Sequence, residues 1–174
     1  MYKMSDKPLV SREEIEKRVT ELGERIRCEF DFDVILSALT GAFIFTADLC
    51  RSICKSKHEI AFIKASSYGA STKSSHSLTI TGMEKLDIRG KRVLLIDDIL
   101  DTGNTMYTLV GKLQEMGAAE IRTCVLLNKE ARREVDFHAD YCGFNIENEF
   151  VVGYGLDFDE KYRTLPDIWT LVEA

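Results

Sequence analysis

Between Asp97 and Thr105 the chain sets three carboxylates, Asp97, Asp98 and Asp101, against the small polar run Thr102-Gly103-Asn104-Thr105. Carboxylates accept hydrogen bonds from sugar hydroxyls and hold hard divalent cations through oxygen. A glycine gives the loop backbone angles that other residues resist. Free backbone N–H groups and hydroxyls at the start of a helix form an anion pocket. No Gly-Lys-Ser/Thr triplet occurs anywhere in the chain, so a phosphate held here is held without the lysine of a Walker loop. Taken singly, the carboxylates could be solvated side chains at a strand end, with Thr102 to Asn104 as turn and capping chemistry. Their coincidence within nine positions is what points to binding.

The elements that must position these residues can be read on both sides. Val93-Leu94-Leu95-Ile96 is an unbroken apolar run with no polar alternation, the pattern of a strand covered on both faces in a parallel sheet. Ligands of such sheets sit beyond the carboxyl ends of the strands, where Asp97 and Asp98 are expected to emerge. Strands are predicted at Val34 to Leu39, Ile60 to Lys64, Arg92 to Ile96 and Ile121 to Leu127. Helices are predicted at Phe43 to Cys54 and at Thr105 to Met116, the latter stopped by Gly117. A further amphipathic helix, Arg12 to Cys28, starts at Ser11 with Glu14 as capping-box partner. Strands alternating with helices give an α/β fold with a parallel sheet and right-handed crossovers.

Composition bounds the reading. The chain has 174 residues, 45% of them hydrophobic, and only 2 prolines; with no linker or repeat, it is expected to be a single domain over 1–174. A formal charge of -6 gives no support to a nucleic-acid or anionic-membrane partner. Met1 to Glu14 lacks the apolar stretch of a signal peptide, and Val34 to Cys50 is interrupted by Ser37, Thr40, Gly41 and Asp48, so it does not read as a membrane span. The 5 cysteines follow no framework spacing and fit reduced thiols in the cytoplasm. Cys50, Cys54 and His58 recur every four residues and on an unbroken helix could hold zinc; the expected helix end before Ser56-Lys57-His58 speaks against that. The serine-rich segment 66–77 buries little apolar surface and reads as a flexible loop within a longer break in the pattern, Ala65 to Met83.

The stretch Val93 to Thr105 resembles the ribose-phosphate signature of the type I phosphoribosyltransferases, which use 5-phosphoribosyl 1-pyrophosphate. Lys129, then Phe150-Val151-Val152-Gly153-Tyr154-Gly155-Leu156-Asp157, then Tyr162-Arg163 follow in the order and spacing of the hypoxanthine(-guanine) branch of that family, so that the resemblance runs from Val34 to Arg163. It implies a parallel-sheet core flanked by helices, a small hood made by the terminal segments, and a lid over the site in which Ser67 and Tyr68 cover pyrophosphate. The implied reaction displaces pyrophosphate from C1′ of the ribose by N9 of a purine, with magnesium as cofactor, in a homodimer or homotetramer.

The resemblance also assigns roles. Asp97 and Asp98 hold the ribose hydroxyls, directly or through magnesium. Asp101 accepts the proton from N7 of the base, and Asp101 to Thr105, including Thr102, Gly103 and Asn104, wrap the 5′-phosphate. Lys129 donates to O6, Phe150 stacks on the ring, and the main chains of Val151 and Asp157 read the base edge. Asp157 also assists a second magnesium, while Arg163 and the loop Leu39-Thr40-Gly41 bind pyrophosphate. In the family that loop commonly reads leucine-lysine-glycine, often with a cis peptide; here Thr40 replaces the lysine and its charge is missing. Residue type alone reads otherwise: Lys129 as a solvated charge, Phe150 as a core aromatic, Arg163 as a surface helix residue. A preference among hypoxanthine, guanine and xanthine is left open, as is a non-catalytic regulator that senses the phosphoribosyl donor and binds nucleic acid.

Overall fold

The computed structural model describes residues 2–67 and 78–173. In chain order the elements are β1 (Tyr2–Met4), α1 (Arg12–Glu29), β2 (Val34–Leu39), α2 (Phe43–Ile53), β3 (Glu59–Ser67), β4 (Leu78–Thr81), β5 (Arg92–Leu100), α3 (Asn104–Glu115), β6 (Glu120–Asn128), β7 (Tyr141–Asn145), β8 (Phe150–Val152) and β9 (Trp169–Glu173). Six strands form the main sheet in the order β4-β3-β2-β5-β6-β7. All neighbours in it run parallel except β3 and β4. A separate antiparallel sheet, β1-β9-β8, joins the two ends of the chain and forms the hood.

The apolar run of β5 serves two cores at once. Leu94 and Ile96 face α1 and α2, packing with Ile15, Val19, Phe45 and Leu49. Val93 and Leu95 face the opposite side, with Leu109 and Leu113 of α3. All four strand residues are fully buried, as expected of a strand covered on both faces. The capping box at α1 is formed: the Ser11 hydroxyl accepts from the Glu14 N–H, and the Glu14 carboxylate accepts from the Ser11 N–H at 2.8 Å. Gly117 closes α3 at φ 88°, with its N–H on the Gln114 carbonyl and the Ala118 N–H on that of Leu113.

Five strands, β1, β4, β7, β8 and β9, lie outside the expected set, and two expected strands run several residues further than expected, for one reason. β5 continues to Leu100, because β6 pairs with it as far as Leu100 opposite Asn128 and because Leu100 is buried. Asp97 and Asp98 therefore lie within the second half of the strand and not beyond it. Likewise β3 runs to Ser67, since β4 supplies antiparallel partners from Lys64 to Ser67. The expected break at Ala65 to Met83 thus contains strand at both ends, and Tyr68 with the rest of 68–77 lies outside the described residues. Cys54 caps α2 in a left-handed conformation, so Cys50, Cys54 and His58 do not share a helical face; His58 lies tilted against Phe32 instead, ring centroids 4.3 Å apart. Among the described residues, no helix is long and apolar enough to cross a membrane.

Candidate active site

A cleft of about 290 Å³ opens at the carboxyl ends of β2 and β5, lined by Leu39, Thr40 and Gly41, by Asp97 and Asp98, and by Asp101, Thr102, Gly103 and Thr105. A larger hollow, about 620 Å³, lies between α1, α2 and Thr164 to Pro166 and shares no residue with it.

The floor of the cleft is the acidic pair. The Asp98 N–H donates to Asp97 Oδ1 at 2.9 Å, and the Ile99 N–H donates to Asp98 Oδ1 at 2.7 Å, so each carboxylate is oriented by the backbone after it. Burial, and for Asp97 the neighbouring charge of Asp98, push both above the usual carboxylate range, Asp97 the further. The charge of Arg163 works the other way on Asp98. Gly41 is required by this packing: a Cβ there would sit 1.6 Å from Asp98 Oδ2. The Leu39–Thr40 peptide of the same loop is cis.

The wall is the turn into α3. Gly103 takes φ 89° and starts the helix without a side-chain cap, which leaves the first-turn N–H groups available to an anion. The Asn104 N–H reaches Thr102 Oγ1 at 3.4 Å, and the Asn104 amide donates to Glu134 at 2.7 Å. Asp101 Oδ1 is buried and lies 2.9 Å from Arg132 Nε, yet it accepts no aligned hydrogen bond.

Lys129 is brought to the end of β5 by its own backbone, whose N–H donates to the Leu100 carbonyl at 2.9 Å. It is 7% exposed, and burial lowers its pKa against the opposing charges of Asp101 and Glu149. Phe150 belongs to the hood; it is 49% exposed and meets Phe158 edge to face at 5.5 Å. Val151 is buried opposite Thr170. Arg163 is folded inward, its side chain 16% exposed, donating to the Gly155 carbonyl at 2.9 Å and pairing with Asp157 and Glu160, each at 3.0 Å. Burial thus reverses what residue type suggests for all three: the lysine and the arginine are covered and the phenylalanine is open.

The hood meets the cleft at one close contact. A Cβ on Gly155, at φ 101°, would lie 2.2 Å from the Gly41 carbonyl oxygen. Beside it, Tyr154 donates its hydroxyl to Asp48 of α2 at 2.7 Å. The structure therefore gathers Leu39 to Gly41, Asp97, Asp98, Asp101 to Gly103 and Thr105 around one cavity, turns the Asn104 side chain to Glu134, and draws Arg163, with Asp157, to Gly155. Lys129, Phe150, Val151, Asp157 and Arg163 do not line that cavity. Ser67 ends β3 with its Cα opposite Leu78. Sequence reading missed Arg133, Glu134, Asp48 and Tyr154. Arg132-Arg133-Glu134 has the look of an ordinary surface charge run and carries no local signal.

This constellation, an acidic strand end beside an uncapped helix start under a hood, is the layout of a phosphoribosyltransferase. The chain belongs to the phosphoribosyl transferase domain family, which matches residues 8–159, on its hypoxanthine(-guanine) branch. It is 43% identical over 166 residues to the hypoxanthine-guanine phosphoribosyltransferase of Aquifex aeolicus, covering 94% of this chain and 93% of that one. It is 40% identical over 173 residues to the hypoxanthine-guanine-xanthine phosphoribosyltransferase of Tritrichomonas foetus, covering 97% of this chain and 93% of that one.

 Among solved structures, a hypoxanthine-guanine phosphoribosyltransferase from Bacillus anthracis superposes with a TM-score of 0.87 at 36% identity, covering 99% of this chain and 100% of that one.

Proposed function

We propose that this cleft transfers the 5-phosphoribosyl group from 5-phosphoribosyl 1-pyrophosphate to N9 of hypoxanthine, and of guanine, giving IMP or GMP and pyrophosphate. The chain is a transferase of purine salvage. The observation that carries the site assignment is the meeting, in one cavity, of the acidic pair, the uncapped start of α3 and the Leu39 to Gly41 loop.

Asp97 and Asp98 hold the ribose 2′- and 3′-hydroxyls and favour the positive charge that develops on the sugar as the bond from C1′ to pyrophosphate breaks. Thr102 to Thr105 bind the 5′-phosphate through N–H groups and hydroxyls. Asp101, whose Oδ1 has no aligned donor, takes the N7 proton while N9 attacks C1′ from the face opposite the leaving group. Lys129 donates to O6, Phe150 covers the ring with its open face, and the main chains of Val151 and Asp157 meet the base edge. Arg163 and the backbone of Leu39, Thr40 and Gly41 receive pyrophosphate, Arg163 as a two-pronged donor. The roles of Ser67 and Tyr68 over pyrophosphate rest on the family resemblance, Tyr68 lying outside the described residues.

Asp97 and Asp98 fit magnesium by their chemistry: this ion takes one or two carboxylates and fills its remaining positions with water and substrate oxygens. Asp157, already facing Arg163, is the candidate on the pyrophosphate side. When bound, magnesium neutralises charge on the leaving pyrophosphate. A homodimer or homotetramer is supported by Ile60 and Phe62, each 50% exposed on the face of β3 that adjoins α2. Reduced thiols at all five cysteines accord with a cytoplasmic enzyme.

Steady-state assay of nucleotide formation with hypoxanthine, guanine, xanthine and adenine side by side tests the reading. Hypoxanthine and guanine are expected to be consumed and adenine refused; xanthine measures how far O6 and N7 contacts alone define the base. If no base is consumed while nucleic acid binds tightly, the regulator reading replaces this one.

A further inference from the structure

The turn that follows Lys129 grips the 5′-phosphate loop from behind. Arg133 Nη1 donates to the Asp101 carbonyl at 2.8 Å, and its Nη2 donates to Asn128 Oδ1. The Glu134 N–H donates to the Thr102 carbonyl at 2.9 Å. Gly103 leans on the same turn: a Cβ there would meet Val135 Cγ2 at 2.9 Å and Arg133 Cδ at 3.1 Å.

In a trans peptide the C=O and the following N–H point in opposite directions. Pinning the Asp101 carbonyl to Arg133 therefore aims the Thr102 N–H away from the turn. Pinning the Thr102 carbonyl to Glu134 does the same for the Gly103 N–H. Thr102 and Gly103 line the cleft, so both donors are turned towards it before any ligand arrives. Two N–H groups fixed side by side are a preformed anion nest, and fixing them in advance removes an ordering cost from binding.

We propose that Arg133 is a positioning residue for the phosphate subsite: it touches no substrate, and by holding the Asp101 carbonyl it aims the main-chain donors that receive a phosphate monoester. This rests on the reading of Asp101 to Thr105 as the 5′-phosphate cradle.

The test is equilibrium binding of IMP and of inosine, which differ only in the phosphate, to the wild type, R133M and R133K, with melting temperatures recorded for each. The wild type is expected to prefer IMP strongly. R133M is expected to lose about tenfold for IMP, the scale of one misaligned hydrogen bond to a charged group, and to bind inosine unchanged. R133K, with a single prong, is expected to recover part of the loss. A merely structural role would weaken both ligands together, and that outcome overturns the proposal, as does an IMP-to-inosine ratio in R133M equal to that of the wild type. If R133M does not fold, the ratio in R133K decides, and a wild-type ratio there overturns it. A wild type that does not distinguish the two ligands overturns the cradle reading itself.

Discussion

The β5–α3 junction and the hood are built in opposite ways. The junction draws Asp97 to Thr105 from nine consecutive positions, held by a strand buried on both faces and by a helix start. The hood joins β1 near one end of the chain to β8 and β9 near the other, and the segment after β8 meets the cleft at Gly155 against Gly41, with Tyr154 beside it bonded to Asp48 of α2. In the proposed reading, ribose and 5′-phosphate fall to this one contiguous segment, Asp97 to Thr105, whereas purine and pyrophosphate draw on both regions: Lys129 and Leu39 to Gly41 from the core, and Phe150, Val151, Asp157 and Arg163 from the chain that forms and follows the hood.

The largest effect expected is within the junction. Asp101→Asn should retain the fold, by circular dichroism and melting temperature, while kcat falls by about 10²- to 10⁴-fold, the range for loss of a general base; unchanged turnover would remove that role from Asp101. At the contact between the two regions, Gly155→Ala forces a Cβ against the Gly41 carbonyl at a left-handed φ. It should destabilise by about 1–3 kcal/mol and raise KM for the base and for the pyrophosphate donor together. If only one of these constants moves, the hood does not serve both subsites as a unit. Tyr154→Phe keeps the ring and removes the bond to Asp48; a loss of about 1 kcal/mol is expected in denaturant titration, with kcat retained.

The last prediction concerns charge and has the opposite sign. Because the folded state raises the pKa of Asp97, the native protein holds a proton that the unfolded chain has released, and stability of the free enzyme falls as pH rises from the ordinary carboxylate range through the raised native value. Asp97→Asn should therefore melt higher than the wild type at neutral pH, with the difference shrinking in acid, while binding of the ribose donor weakens. A variant that melts lower at neutral pH would show that burial does not penalise this carboxylate.

Much of the junction was legible because its causes are local. An unbroken apolar run forecasts burial on both faces, Gly103 marks a left-handed position, and Ser11 with Glu14 forecasts a helix start. The strand ends were not legible: β5 extends to Leu100 and β3 to Ser67 only because β6 and β4 offer partners there. Nor was the burial of Lys129 and Arg163 or the exposure of Phe150, since side-chain type says what burial costs and not what will lie on top. Arg133 gave no sign at all. Its target is a main-chain carbonyl 32 positions away, and carbonyls carry no sequence identity.

By itself the sequence determined the order of the three helices and of β2, β3, β5 and β6, the acidic pair and the polar turn that follows it, because backbone preference, apolar periodicity and capping act between near neighbours. Only the tertiary structure decided which charges are covered, where strands stop and how the hood meets the loop at Gly41, because these depend on groups far apart along the chain that share space only once it has folded.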